Sequence, residues 1–130
     1  MCQEHWRSEA ETEVRVVVEL LEDGVDPNIR DVNGVTPLIL ASIRGIVDVA
    51  ATLIQAGADV NSADNVGATP IFGATLHDQE EVVKLLLTQE TADVNLRING
   101  YTPLMVAAQN KFLGILNALL HTLRWSLEVK

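Results

Sequence analysis

The sequence has few of the residues that would crosslink a chain or carry it to a membrane. Cys2 is the single cysteine among 130 residues, so no internal disulfide can form and a reducing compartment is the simpler expectation. Residues 1–11 hold three glutamates and no apolar run, unlike a secretory signal. The longest apolar stretch, Phe112–Leu120, is interrupted by Asn117 and is too short to cross a bilayer. We expect a soluble protein of the cytoplasm or nucleus, without membrane insertion.

Basic residues are also scarce. Nine lysines and arginines face 18 aspartates and glutamates, which gives a formal net charge of −9. Without a basic surplus the chain cannot displace the counterions around phosphates, so we expect no nucleic-acid partner. The negative charge favours solubility and is compatible with a basic partner. Hydrophobic residues make up 48% of the chain and charged residues 21%, which is typical of one globular domain with its own core.

The combinations of side chains that carry catalysis or hold metals are missing as well. His5, His77 and His121 lie far apart, and none has another histidine or a cysteine at metal-ligand spacing. Cys2 has no local partner that would activate its thiol. The chain also lacks a glycine-rich phosphate loop. We therefore predict no enzymatic activity, no catalytic or metal site and no cofactor.

What the chain does contain is a short segment repeated three times. The copies are Gly34–Leu38, Gly67–Ile71 and Gly100–Leu104, and their threonines stand at 36, 69 and 102, an interval of 33 residues. The glycine allows a turn that most residues avoid. The threonine hydroxyl can cap the first helical turn, and the proline suits the first helical position. Each copy therefore predicts a turn followed by a helix, and the fixed spacing indicates a repeat architecture.

The rest of each 33-residue unit predicts two helices. The first helix carries small residues and the second carries long or branched ones, and a loop such as Gly57–Asn61 leads to the next unit. Complete units span residues 31–63, 64–96 and 97–130. Residues 1–30 match the same pattern as a degenerate first unit, with a first helix in roughly Gln3–Ala10 and an amphipathic second helix from Val14 that Gly24 closes.

These motifs resemble the ankyrin repeat. The segment Asp31–Leu38, with Gly57–Asn61 later in the same unit, matches that family's 33-residue period and its Thr-Pro-Leu signature. The resemblance covers Thr12 to about Leu120. It implies an all-α fold: a solenoid of about four helix-turn-helix repeats with short β-hairpin-like loops, forming a single domain over residues 1–130.

The sequence departs from the family pattern at a histidine, which in the family usually bonds to the loops of adjacent repeats, and at several glycines. The family's histidine after Thr-Pro-Leu is replaced by Ile39, Phe72 and Met105. The glycine between the helices, present as Gly45, becomes Asp78 and Lys111, and we expect both to adopt a conformation that glycine prefers. At the end of the third unit, Glu90 replaces glycine and Thr91 is added. We expect this longer loop to end the helix without a left-handed glycine.

The resemblance implies binding of a partner protein through the hairpin tips and the exposed side of each first helix, which together form the concave face of the stack. Several of these residues are apolar, as expected of an interaction surface, and Tyr101 is the best single anchor. The alternative is that some of them pack within the hairpins. The residues are Val32, Asn33, Val35, Ile43, Arg44, Asn65, Val66, Ala68, Leu76, His77, Ile98, Asn99, Tyr101, Gln109 and Asn110.

A second function is suggested by the last helix, which is apolar on nearly all sides although terminal repeats need a polar outer face. Under this hypothesis the chain is a structural or assembly component, and it forms a homodimer or docks on a larger subunit through its C-terminal repeat. The residues of this end-on interface are Leu116, Leu120, Leu123 and Trp125. Alternatively Trp125 and Leu127 fold back as a cap. At the other end, Trp6 is expected to cover the first repeat.

Overall fold

The protein is built from pairs of short helices. A computed structural model describes residues 15–129, with side chains through residue 123. The described residues form seven helices and no strand beyond one isolated bridge, so the all-α prediction is confirmed. The helices are α1 (residues 15–22 as described), α2 (Pro37–Arg44), α3 (Val47–Gln55), α4 (Pro70–Leu76), α5 (Glu80–Leu87), α6 (Pro103–Asn110) and α7 (Leu113–Val129).

The first helix of each complete repeat begins as the sequence predicts. Thr36, Thr69 and Thr102 have extended backbones, and a proline follows each at the first helical position. Each threonine hydroxyl accepts a hydrogen bond from the backbone N–H three residues later, at 3.2 Å for Thr36 and 3.3 Å for the other two. This bond satisfies one of the donors that a helix start leaves without a partner.

The turns between the paired helices adopt the left-handed conformation whether or not glycine is present. Gly45 ends α2 with φ 74°, and Lys111 ends α6 with φ 60°. Asp78, two residues beyond the end of α4, has φ 55°. In the third repeat α5 instead ends at Thr88 with a right-handed backbone of φ −75°, and the loop through Glu90 needs no left-handed residue. Both predictions about these departures are confirmed.

The helices stack in two rows, with α2, α4 and α6 in one and α3, α5 and α7 in the other. Small residues line the contacts within the first row: Ala41 is 3% exposed, and Ala74 and Ala107 are fully buried. Gly73 of α4 allows a close contact with Ile43 of α2, because a Cβ at Gly73 would lie 3.0 Å from Cγ1 of Ile43. The core between the two rows consists of aliphatic side chains, chiefly Leu38, Val49, Leu53, Ile71, Val82, Leu86, Ile115 and Leu119.

Asparagine side chains join the loops that follow successive second helices. The Asn28 side chain donates to the Gly57 carbonyl (3.2 Å) and accepts from the Asp59 N–H (2.7 Å). Asn61 repeats both bonds one repeat later, to the Thr91 carbonyl (2.6 Å) and from the Asp93 N–H (2.8 Å). These bonds hold each loop at a fixed spacing from the next, because one side chain satisfies both a donor and an acceptor.

At the N-terminal end, α1, α2 and α3 border an apolar groove of about 420 Å³. Leu20, Leu40 and Val49 are among its lining residues. The helix expected in Gln3–Ala10, and the covering role expected of Trp6, lie outside the described residues.

At the C-terminal end, α7 continues to Val129, so residues 124–129 extend the helix instead of folding back as a separate segment. The side chains of Trp125 and Leu127 lie outside the described ones. Among the helices that the structure describes, none combines the length and apolar character that a membrane crossing requires.

The left-handed turn before α7 provides a test of local strain. Replacing Lys111 with glycine should raise the free energy of unfolding by about 1 kcal/mol, because a side chain is costly in this conformation. Gly45→Ala is the reciprocal control and should lower stability, since its Cβ would also meet the Gln79 side chain. Urea unfolding followed by circular dichroism measures both. A Lys111→Gly variant that is less stable than the wild type would contradict this reading of the turn.

The asparagine bridges can be tested with a matched pair. Asn61→Ala should lower the free energy of unfolding by about 1–2 kcal/mol, because it removes two hydrogen bonds between loops. Asn95 holds the equivalent position in the loop after α5 and makes no such bond among the described residues. Asn95→Ala should therefore change the free energy of unfolding by less than about 0.5 kcal/mol. Equal losses in the two variants would show that the bridges contribute little.

Candidate protein-binding face

The hairpin tips are shaped by an aspartate at the start of each turn. In the second repeat, Oδ1 of Asp31 accepts hydrogen bonds from the N–H groups of Asn33 and Val35, both at 2.9 Å. The Asp31 N–H donates to the Val35 carbonyl at 3.1 Å, and the Gly34 N–H donates to the Asp31 carbonyl at 3.0 Å. Gly34 has φ 79°, which a glycine adopts without strain.

The third hairpin repeats this construction and is tied to the second. Asp64 accepts from the N–H groups of Val66 (3.0 Å) and Ala68 (2.9 Å). The Asn65 N–H donates to the Asn33 carbonyl at 3.0 Å, and the Asn65 side chain donates to the Val32 carbonyl at 3.2 Å.

Two further features bring these hairpins together. Arg30 Nη1 donates to the Ala63 carbonyl at 2.7 Å. A Cβ at Gly34 would lie 2.9 Å from the backbone nitrogen of Asn65, so glycine at this position permits the close approach of the two tips.

The fourth hairpin is built differently. Arg97 stands where the earlier hairpins have aspartate, and Ile98 and Tyr101 exchange two backbone hydrogen bonds of 2.9 Å. Asn99 (φ 52°) and Gly100 (φ 84°) form the tip, the pair of positive φ values that a two-residue type I′ turn requires. The repeat pattern alone does not predict this change. The loss of the aspartate at Arg97 is the signal that could have revealed it, because the second hairpin also contains an Asn-Gly pair, Asn33-Gly34, and there the aspartate holds a different turn.

The structure leaves most of the predicted face residues accessible. Val32 is 89% exposed, Val66 71%, Leu76 50% and Tyr101 49%. The polar members of the set are also exposed, namely Asn33, Arg44, Asn65, His77, Asn99, Gln109 and Asn110. Val35, Ile43, Ala68 and Ile98 are half-buried.

Two exposed apolar residues of the first helices are not among the predicted ones. Leu40 is 47% exposed beside the N-terminal groove, and Met105 is 44% exposed at the C-terminal end. Their equivalents in neighbouring repeats, such as Gly73 for Leu40 and Phe72 for Met105, are buried. The exposure of Leu40 and Met105 depends on whether a neighbouring repeat covers them, so a motif within one repeat cannot predict it.

The chemistry of this face suits binding. None of its predicted residues is a carboxylate, and Arg44 is its one formally charged member at neutral pH. Across the part of the chain that the structure describes, the buried polar side chains are hydroxyls of serine and threonine. Within the same residues no three histidine, cysteine or acidic side chains gather where they could hold a metal ion.

The ion pairs found among the described residues lie on α5, away from the hairpin tips. Lys84 Nζ contacts Glu80 at 3.0 Å and Glu81 at 3.8 Å. The hydrogen bond and the negative charge of Glu80 raise the pKa of Lys84 above its ordinary value. Because the side chains of Lys84 and Glu80 are both exposed to solvent, the pair keeps a surface lysine charged and contributes little to stability.

Helix pairs stacked at a fixed interval, with hairpin tips along one edge, define a helical repeat solenoid. A family model described as ankyrin repeats (3 copies) matches residues 7–98 and again residues 63–127. The two matches together span nearly the whole chain, so this chain belongs to the ankyrin repeat family. A search of curated proteins found no match. Ankyrin repeats generally serve as protein–protein interaction modules and are typically not enzymes.

The aspartate of the third hairpin provides a test of how the tips are held. Asp64→Ala should lower the free energy of unfolding by about 1–2 kcal/mol, because two backbone N–H groups lose their acceptor. Arg97→Ala changes the equivalent position of the fourth hairpin, which lacks those bonds, and should have an effect below about 0.5 kcal/mol. Thermal unfolding measures both. A larger loss for Arg97→Ala than for Asp64→Ala would contradict the assigned role.

Proposed function

We propose that this protein binds a partner protein through the concave face of its stack. The observation that carries the proposal is a series of exposed apolar side chains over three consecutive repeats: Val32, Val66, Leu76 and Tyr101, each 49% exposed or more. Exposed apolar residues are ordinary when scattered singly, whereas a series along one face is typical of an interaction site.

The construction of the hairpins favours binding. Their tips are held by backbone and aspartate hydrogen bonds, and the second and third tips are bonded to one another. A surface that is already ordered loses little conformational entropy when a partner binds. Tyr101 supplies an aromatic ring of the kind enriched at interface hot spots, and the exposed amides of Asn33 and Asn99 can donate and accept hydrogen bonds at the edge.

The composition of the face also bears on the kind of partner. The net charge of −9 alone is compatible with a basic partner, yet no predicted face residue carries a carboxylate. A basic segment would find no opposite charge among them, and Arg44 would repel it. We therefore propose that the bound segment is mainly apolar and uncharged where it contacts the face.

We also propose that the protein acts in the cytoplasm or nucleus and catalyses no reaction. A single cysteine suits the reducing conditions of the cytoplasm or nucleus. The described residues of the face are apolar or neutral amides with one arginine and one histidine, so they support binding and no catalysis. The other candidate function, assembly through the C-terminal repeat, is favoured by two exposed leucines of α7, Leu113 (66%) and Leu120 (47%).

The proposal is tested by comparing partner capture by two matched variants. Leu76→Glu combined with Tyr101→Glu places two charges on the concave face and should abolish capture of proteins that the wild type retains, as identified by mass spectrometry. Leu120→Glu makes the same kind of change on α7 and should leave capture per chain unchanged. Circular dichroism verifies that both variants keep their helices. Undiminished capture by the Leu76/Tyr101 double variant would move the binding site elsewhere.

A further inference from the structure

Two asparagines of this chain are followed directly by glycine, and they hold equivalent positions in two hairpin tips. Asn33 precedes Gly34 in the second hairpin, and Asn99 precedes Gly100 in the fourth. The side-chain carbon of such an asparagine is open to attack by the glycine's backbone nitrogen, because glycine has no side chain to obstruct the approach. The attack also requires the peptide group between the two residues to rotate. The two hairpins treat that peptide group differently.

In the second hairpin the peptide group between Asn33 and Gly34 is held at both ends. The Asn33 carbonyl accepts a hydrogen bond from the Asn65 N–H, and the Gly34 N–H donates to the Asp31 carbonyl, both at 3.0 Å. Gly34 is buried, and a Cβ at this position would lie 2.9 Å from the backbone nitrogen of Asn65. Rotation of this peptide group would therefore break two hydrogen bonds and press against the third hairpin.

The fourth hairpin lacks these restraints. Neither the Asn99 carbonyl nor the Gly100 N–H makes a hydrogen bond among the described residues. Both residues are exposed, and a Cβ at Gly100 would meet nothing within 4 Å. Arg97 stands where the second hairpin has the aspartate that binds its tip. The peptide group between Asn99 and Gly100 can therefore rotate without the loss of a hydrogen bond of its own.

We propose that Asn99 is a site of spontaneous deamidation, which places a carboxylate on the concave face. The Gly100 nitrogen loses its proton to a base in solution and bonds to Cγ of Asn99. The bond from Cγ to Nδ2 breaks, and the nitrogen takes up a proton and leaves as ammonia. Water then opens the resulting succinimide ring at either carbonyl, which gives aspartate or isoaspartate. Water is consumed and ammonia is released, so the reaction needs no oxidant or reductant.

The consequence for binding rests on the function proposed above. No predicted residue of the concave face is a carboxylate, and Tyr101 belongs to the same hairpin as Asn99. Conversion adds a negative charge beside a surface that an apolar segment would cover, and burial of an unpaired charge is unfavourable. Isoaspartate also lengthens the main chain between Ile98 and Tyr101, whose hydrogen bonds set the position of the tyrosine. Deamidation should therefore weaken partner binding irreversibly as the protein ages.

The site is tested by ageing the full 130-residue chain in mildly alkaline buffer and measuring the conversion of each asparagine by peptide mass spectrometry. Asn99 should convert at least about tenfold faster than Asn33, because only Asn33 must first lose hydrogen bonds at its peptide group. In the urea-unfolded chain the two rates should be similar, since a β-branched residue precedes each asparagine. Equal rates in the folded chain, or faster conversion of Asn33, would overturn the proposal.

Two substitutions change the restraints in opposite directions. Asp31→Ala removes the carboxylate that binds the Asn33 and Val35 N–H groups, and it should speed the conversion of Asn33 about fivefold or more. Arg97→Asp gives the fourth hairpin the aspartate of the earlier ones and should slow the conversion of Asn99 by a similar factor. Circular dichroism verifies that both variants are folded. Rates that neither substitution changes would contradict the role assigned to the hairpin bonds.

The effect on binding is measured by partner capture before and after ageing. Capture by the wild type should fall in proportion to the fraction of Asn99 that has converted. Asn99→Gln, whatever its starting level of capture, should lose none on ageing, because glutamine forms the corresponding ring far more slowly. Undiminished capture by converted protein would overturn the effect on binding. The peptide masses require no partner, so failure of the deamidation proposal can be distinguished from failure of concave-face binding.

Discussion

The contact between neighbouring first helices is the interaction on which the rest of this structure depends. Ala74 is fully buried between α2 and α6, and Gly73 beside it takes up the side chain of Ile43. Side chains this small allow helix axes to approach within about 8–10 Å. A single helix pair would leave these surfaces in water, so each repeat gains most of its stability from its neighbours. Without this close contact the hairpins would not align.

The hydrogen bonds between repeats refine what this packing begins. Asn28 and Asn61 join successive loops, and Arg30 and Asn65 join successive hairpins. These bonds add direction to a contact that is otherwise apolar and tolerant of small shifts. Because of these bonds, the spacing of the hairpin tips is fixed in the free protein. At the C-terminal end of the stack, Met105 and Leu120 are apolar and exposed, since no further helix covers them among the described residues.

Much of the fold could be predicted from the sequence because its signals are local. Thr69 and Pro70 define a helix start by themselves, and the left-handed turns at Asp78 and Lys111 follow from the glycine they replace. The changed fourth hairpin was not predicted, since the repeat interval implied that all tips are alike. The exposure of Leu40 and Met105 was not predicted either, because burial depends on the neighbouring repeat. The residues of the binding face remain a prediction, as no property of one chain identifies what it binds.

The central claim, that neighbouring repeats stabilise one another, is tested most directly by hydrogen exchange of backbone amides measured by NMR. We expect α4, which has a repeat on both sides, to exchange most slowly, and protection to fall toward α1 and α7. We also expect slow exchange for the N–H groups of Asp59 and Asp93, which lie in exposed loops but donate to asparagine side chains. Slowest exchange in α1 or α7, with Asp59 and Asp93 unprotected, would contradict it.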